Sequence, residues 1–268
     1  MTAGPGRVRE PAVAGAFYPA DPVGLRVAVE THLDEAGAVR PPGGGPKAVV
    51  APHAGYDFSG PVAAQAYACV RPLRGRVERV VLLGPGHRFP RAEIVAPATD
   101  AWATPLGLVP VDAEARRCLV DAGLVVVSDD AHAGEHSLEV QLPFVQVVLG
   151  PVRMLPLVVG RAPVSSVADV LDAVWGGNET LIVLSTDLSH YHERSTAEEL
   201  DRRTAAAIVA GRAEALGPGD ACGVFALGGL LEAARRHALR VGQLDLRTSA
   251  DTACRADRVV GYGAFALS

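Results

Sequence analysis

Along this chain, short apolar runs rich in β-branched residues alternate with longer stretches whose apolar residues recur at helical spacing. The short runs read as strands: Lys47–Ala51, Arg79–Leu83, Leu124–Val127, Arg153–Val159, Leu181–Ser185 and Val259–Ala266. Several are apolar throughout, as strands buried on both faces are. Between them the spacing predicts helices over Gly60–Val70, Ala113–Ala122, Leu138–Leu149, Val164–Trp175, Ser195–Val209 and Gly223–Ala238. Ser59, Asp112 and Ser137 stand where an N-cap side chain would accept the first orphan N–H groups. The alternation predicts an α/β fold with a central, mostly parallel or mixed sheet flanked by helices. The segment Arg40–Pro46 (RPPGGGP) reads as a turn before the first core strand, and Leu216–Asp220 as a shorter break. The stretch before Arg40 is too short for a core of its own, and there is no internal repeat. Residues 1–268 are read as a single domain.

Composition narrows the classes. Lys and Arg number 25 against 30 Asp and Glu, a net charge of −5. That argues against a nucleic-acid binder of the electrostatic kind. Half of the residues are apolar, 49%, which excludes a disordered chain. The N-terminus has no continuous apolar core of a secretory signal, and no stretch approaches the ~20 apolar residues of a membrane span. Cys69, Cys118, Cys222 and Cys254 stand far apart with no C-x-x-C, against a zinc ribbon or a thioredoxin-like motif. A cytoplasmic protein with reduced thiols and no membrane partner is expected.

The chemistry is expected just beyond the strand ends, where open α/β sheets bind ligands. Four such junctions carry histidine or acidic residues: VVAPHAGYDFSG presents His53, VVLLGPGHRF presents His87, and LIVLSTDLSHYH offers Asp187, His190 and His192. The fourth, DDAHAGEHSLEVQLPF, holds Asp129, Asp130, His132, Glu135 and His136. Recurrence at one topological position argues for a clustered site. Neutral imidazole is both the commonest metal ligand and a general base near neutrality. Two histidines with one anion, whether Asp187, Glu135 or the thiolate of Cys222, would make an open three-ligand metal site. Cys222 is expected at a helix start, where the dipole lowers a thiol pKa. Were His190 and His192 extended, they would face opposite ways, and His190 is taken as the site residue.

Other motifs fail. His132-Ala133-Gly134-Glu135-His136 matches H-x-x-E-H, but that zinc motif needs a helix, and the segment reads as a loop. The run Gly84-Pro85-Gly86 lacks the third glycine of a dinucleotide fingerprint. A Ser–His–Asp hydrolase built from Ser185, Asp187 and His190 would crowd its triad into one segment, unlike known triads.

An ordered set of motifs spans nearly the whole chain: AGAFYPADP (14–22), APHAGYDFSG (51–60), LLGPGH (82–87), TPLGLVPVD (104–112), EHSLEVQLPF (135–144), STDLSHY (185–191), CGVF (222–225) and VVGYGAFA (259–266). In this the sequence resembles the Memo family, whose bacterial members are called AmmeMemoRadiSam system protein B. The resemblance implies a fold like that of class III extradiol dioxygenases, non-haem iron enzymes that open catechol rings. It implies metal ligands at His53, His87 and Cys222. An acid/base-like histidine follows at His190 with Asp187 beside it, and Glu135 and His136 line the same pocket. Gly86 stands where serine is common. Thiolate in place of carboxylate softens the site toward copper(I) or zinc, while two imidazoles still suit iron(II). The implied cofactor is therefore one metal ion, iron(II) or copper, with zinc also suited.

Three functions are compatible with this. The first is a metal-dependent, dioxygenase-like oxidoreductase acting on a small, aromatic substrate. The second is a non-catalytic module that captures a peptide or protein. The third is a component of a modification system whose partners are a radical-SAM enzyme and an AMMECR1-type protein.

Overall fold

The computed structural model describes residues 6–41, 45–89, 91–253 and 257–268. The chain begins with β1 (Val8–Arg9), α1 (Pro22–Ala36), β2 (Ala48–Ala51), α2 (Tyr56–Ala68), β3 (Arg79–Pro85), β4 (Ile94–Ala96), β5 (Ala101–Thr104) and β6 (Gly107–Pro110). There follow α3 (Ala113–Asp121), β7 (Val126–Val127), α4 (Asp130–Ala133), α5 (Leu142–Leu149), β8 (Arg153–Val159), α6 (Val164–Ala173) and β9 (Thr180–Ser185). The last elements are β10 (His190–His192), α7 (Arg194–Val209), α8 (Val224–Arg236), β11 (Val241–Thr248), α9 (Ser249–Ala253) and β12 (Val259–Leu267).

The main sheet runs β10-β12-β2-β9-β3-β8-β4-β7, with β11 also on β12. Its centre, β2-β9-β3-β8, is parallel, while β12 joins β2 and β4 joins β8 antiparallel. The fold is thus α/β with a mixed sheet flanked by helices, as the alternation implied. The strand alternation sorts the core into two layers. Val49, Ala51, Val80 and Leu82 pack toward α1, α2 and α5. Ala48, Val50, Val81 and Leu83 pack toward α3, α6 and α8. Period two places successive side chains on opposite faces, so uniformly apolar strands need helices on both.

Several expected boundaries move. Helix α2 starts at Tyr56, not Gly60, because Gly55 is its cap and Tyr56 N is held by the Phe17 carbonyl. Ser59 is inside that helix, its hydroxyl donating back to Ala54 O. Ser137 is no cap either. Its hydroxyl donates to Pro85 O, and a 3-10 turn over Glu139–Gln141 leads into α5, where Pro143 suits the first turn. Asp112 does cap α3, accepting from Ala115 N. The strand expected over Leu124–Val127 shrinks to two exposed residues at the sheet edge. The segment read as a loop contains one helical turn, α4, and His136 lies beyond it. Helix α1 was not expected, although Asp21 caps it, Pro22 opens it, and Leu25, Val29 and Leu33 form its buried stripe.

A second sheet, β1-β5-β6, carries the N-terminal segment to the main body. From it Arg9 reaches Glu139 at 2.7 Å, both side chains buried. Glu139 also accepts from Ala12 N, Val13 N and the Tyr18 hydroxyl, so the buried charge is fully paired.

Candidate metal centre

The parallel centre of the sheet brings three C-terminal strand ends together. Ala51 of β2 lies beside Ser185 of β9, and Leu83 of β3 beside Leu184. The chain therefore leaves β2 into His53, β3 into His87 and β9 into Asp187. The segment Glu135–Ser137 closes over this edge from the fourth junction. Gly84 permits that closure, since a Cβ there would sit 2.8 Å from Leu138 and 3.0 Å from Ser137 Oγ.

Three imidazoles converge. His53, His87 and His136 each offer a nitrogen, and these atoms lie within 4.8 Å of one another. The rings of His87 and His136 stack at 4.8 Å, and His53 stands nearly perpendicular to both, at 5.2 and 5.5 Å. Glu135, almost wholly buried, braces the cluster. Its Oε1 accepts from His87 Nδ1 at 2.9 Å and from Ser137 N at 2.9 Å, and its Oε2 from His87 N at 2.7 Å. His136 Nδ1 stands 3.5 Å from the same Oε1. A carboxylate only accepts, so Nδ1 of His87 carries the proton and Nε2 keeps its lone pair. This carboxylate–imidazole pairing orients ligands in metal centres.

Electrostatics favour the neutral form of His53 and His136 but not of His87. Burial, with the neighbouring His87 and His136, holds His53 well below its ordinary value. Burial also lowers His136, against the pull of Glu135. For His87 burial works downward, but the Glu135 hydrogen bond and charge more than offset it and leave it raised. Burial would raise Glu135, yet the His87 and Ser137 hydrogen bonds bring it down to about 2.

Cys222 lies against this cluster. Its sulfur is 3.3 Å from His53 Nε2, accepts from Asp187 N at 3.2 Å, and lies 3.6 Å from Thr186 Oγ1. It precedes Gly223, the cap of α8, but the helix dipole does not win. Burial, with the charge of Asp187, pushes the thiol up to about 12. A thiolate here would need a cation to draw off the proton. Asp187 is buried, and its Oδ1 accepts from His53 N at 2.7 Å. Burial raises this carboxyl too. His190 opens β10 opposite Val260 and is half-buried, whereas His192 is exposed. Between them Tyr191 takes a left-handed φ of 61°. His190 is close enough for its charge to act on both His53 and Asp187.

His132 belongs to the core instead. It donates from Nε2 to Val95 O and packs edge-on against Trp102, so H-x-x-E-H places its two histidines in different environments. Ser185 Oγ is 2.9 Å from His53 Nδ1 but is wholly buried and donates to Ser137 O, which rules it out as a nucleophile. Cys69 is buried and Cys118 exposed; Cys254 lies outside the described residues. Sequence reasoning weighed Ser185 only as a nucleophile, and missed Gln141 near His53 and Arg9 behind Glu135. Of the two missed, Gln141 carried a signal, an amide in the largely apolar stretch LEVQLPF.

Fold and site together define an α/β protein whose three-histidine cluster at the strand ends can hold a metal ion. The family model described as Memo-like protein matches residues 9–266, and the chain belongs to that family. It is 38% identical to a MEMO1 family protein of Methanopyrus kandleri over 96% of this chain and 97% of that one. A MEMO1 family protein of Pyrobaculum arsenaticum is 35% identical, with 96% and 97% covered. One from Nitrosopumilus maritimus is 31% identical, with 96% and 98% covered. Among the described residues no helix is long and apolar enough to cross a membrane.

Proposed function

We propose that this chain is a mononuclear, metal-dependent oxidoreductase of dioxygenase-like character acting on a small, aromatic substrate. The observation that carries the proposal is the convergence of His53, His87 and His136 around one point, with Glu135 bracing two of them. The donor set fits a metal. Imidazole nitrogens suit iron, copper and zinc, and burial keeps His53 and His136 neutral. His53 and His87 would be ligands in any arrangement. The third would be His136 or Cys222, whose sulfur already touches His53 Nε2.

Bound there, an iron or copper ion would supply electron transfer between substrate and dioxygen. The chain's own groups do the rest. Asp187 fixes the backbone of His53 through the 2.7 Å bond to its N–H. Glu135 fixes the ring of His87. His190, half-buried at the start of β10, would take up and return a proton during turnover. Cytoplasmic action, alongside radical-SAM and AMMECR1-type partners, is the wider setting that the family resemblance supports, and co-purification tests it.

The proposal is tested by anaerobic iron and copper loading followed by oxygen uptake on a panel of catechols. Uptake that vanishes in His87→Ala supports it. Full loading without uptake, together with capture of a peptide ligand, would favour the binding-module function instead. Comparison of His136→Ala with Cys222→Ser identifies the third ligand, since only its loss should sharply weaken metal retention.

A further inference from the structure

We propose that Ser185, held between the Gln141 amide and the Ser137 carbonyl, fixes the tautomer of His53, so that Nε2 and not Nδ1 presents the lone pair to the cluster. This rests on the metal reading of the site for its purpose, though not for its geometry. Pro52 O is a carbonyl and can only accept, so the side-chain atom of Gln141 that meets it at 2.9 Å is the amide nitrogen. The Gln141 carbonyl then faces Tyr67 and accepts its hydroxyl proton at 2.9 Å. Turning the amide over would set oxygen against oxygen at Pro52.

The second proton on Gln141 Nε2 goes to Ser185 Oγ at 2.8 Å. Ser185 has one hydroxyl proton, and it is given to Ser137 O, another carbonyl, at 2.6 Å. What Ser185 offers His53 Nδ1, at 2.9 Å, is therefore a lone pair. Nδ1 must carry the hydrogen. A neutral imidazole has only one N–H, so Nε2 is bare. Tyr67, Gln141 and Ser185 are each almost wholly buried, so no water can stand in for a missing member. Gln141 and Ser185 are positioning residues: they touch no substrate and act through His53.

The test reads the tautomer directly. Full-length protein, metal-free and labelled with ¹⁵N at its histidines, is examined by two-bond imidazole ¹H–¹⁵N correlation, with His53 assigned by comparison with His53→Ala. Wild-type His53 is expected as the Nδ1–H form. Ser185→Ala removes the acceptor, and His53 should shift toward Nε2–H, donating to Cys222 Sγ beside it. Calorimetric titration with Zn²⁺ should then show affinity reduced roughly 10–100-fold. Gln141→Met removes the donor to Ser185 Oγ but leaves the Ser185–Ser137 bond, so the hydroxyl is held less firmly and a smaller shift toward Nε2–H and a smaller loss are expected. It also serves as the second variant if Ser185→Ala does not fold.

Wild-type His53 in the Nε2–H form would overturn the proposal without any variant. So would a folded Ser185→Ala that keeps both the Nδ1–H form and the Zn²⁺ affinity. A wild-type protein in the Nδ1–H form that binds neither Zn²⁺ nor Fe²⁺ would uphold the tautomer assignment and overturn the metal reading instead.

Discussion

Glu135 is the hinge between structure and site, and Glu135→Gln tests its role without changing its shape. The carboxylate receives three donors: His87 Nδ1 and Ser137 N on Oε1, and His87 N on Oε2. Only 3% of the residue is exposed, so solvent cannot compensate. A glutamine keeps one oxygen and puts an NH₂ in place of the other. Whichever way it turns, an N–H meets an N–H, and the remaining bonds lose their charge. A hydrogen bond to a charged group contributes roughly 1.5–3 kcal/mol, and an unsatisfied buried donor costs roughly 1–3 kcal/mol. Because relaxation recovers part of this, the variant should be about 2–4 kcal/mol less stable. Urea unfolding of the metal-free protein measures it, with an unchanged slope showing that the denatured state is unaffected. Zn²⁺ affinity should also fall roughly 10–100-fold, since the ring of His87 loses its brace. A stability loss under about 0.5 kcal/mol with unaltered Zn²⁺ binding would refute the idea that Glu135 organises the centre.

Other perturbations reach different parts of the structure. Arg9→Leu leaves the carboxylate of Glu139 buried without its cation, and should cost about 3–5 kcal/mol in chemical denaturation. His132 has its pKa depressed to about 4 against an ordinary 6.5, chiefly by burial. The unfolded chain therefore takes up a proton between those values that the native chain refuses. Stability should fall as pH drops through 6.5 toward 4, by up to about 3 kcal/mol from this residue, and level off below. Unfolding measured across that range should lose part of its pH slope in His132→Gln. Gly229 faces Val167 across α6 and α8, where a Cβ would lie 2.2 Å away. Gly229→Ala should force those helices apart and lower stability by about 1–3 kcal/mol, read from the thermal midpoint.

The sheet was legible because its strands are buried on both faces, so Arg153–Val159 and the runs ending at Ala51 and Ser185 have no polar interruptions. The edges were not. β10 is short and bulged, and β7 is two exposed residues, so neither carries a period to read. The helix starts at Tyr56 and Leu142 depended on a distant carbonyl and a 3-10 lead-in that no local signal encodes. For the site, polar residues just past apolar strands located His53, His87 and Asp187, and the motif EHSLE located Glu135 and His136. What the pattern could not supply was distance. Cys222 was expected among the ligands from resemblance, and the fold sets its sulfur 3.3 Å from His53 Nε2. His136 was expected to line the pocket, and the fold stacks it on His87. The supporting polar residues are buried inside apolar runs or far away in sequence, as Gln141 and Arg9 are. Their roles appear only once the chain is folded.

The central claim is that His53, His87 and their neighbours hold a metal ion, and metal analysis of anaerobically purified protein tests it most directly. Wild type should carry stoichiometric iron or copper and His53→Ala essentially none, with both proteins equally folded by circular dichroism. Equal metal content in the two would contradict the claim.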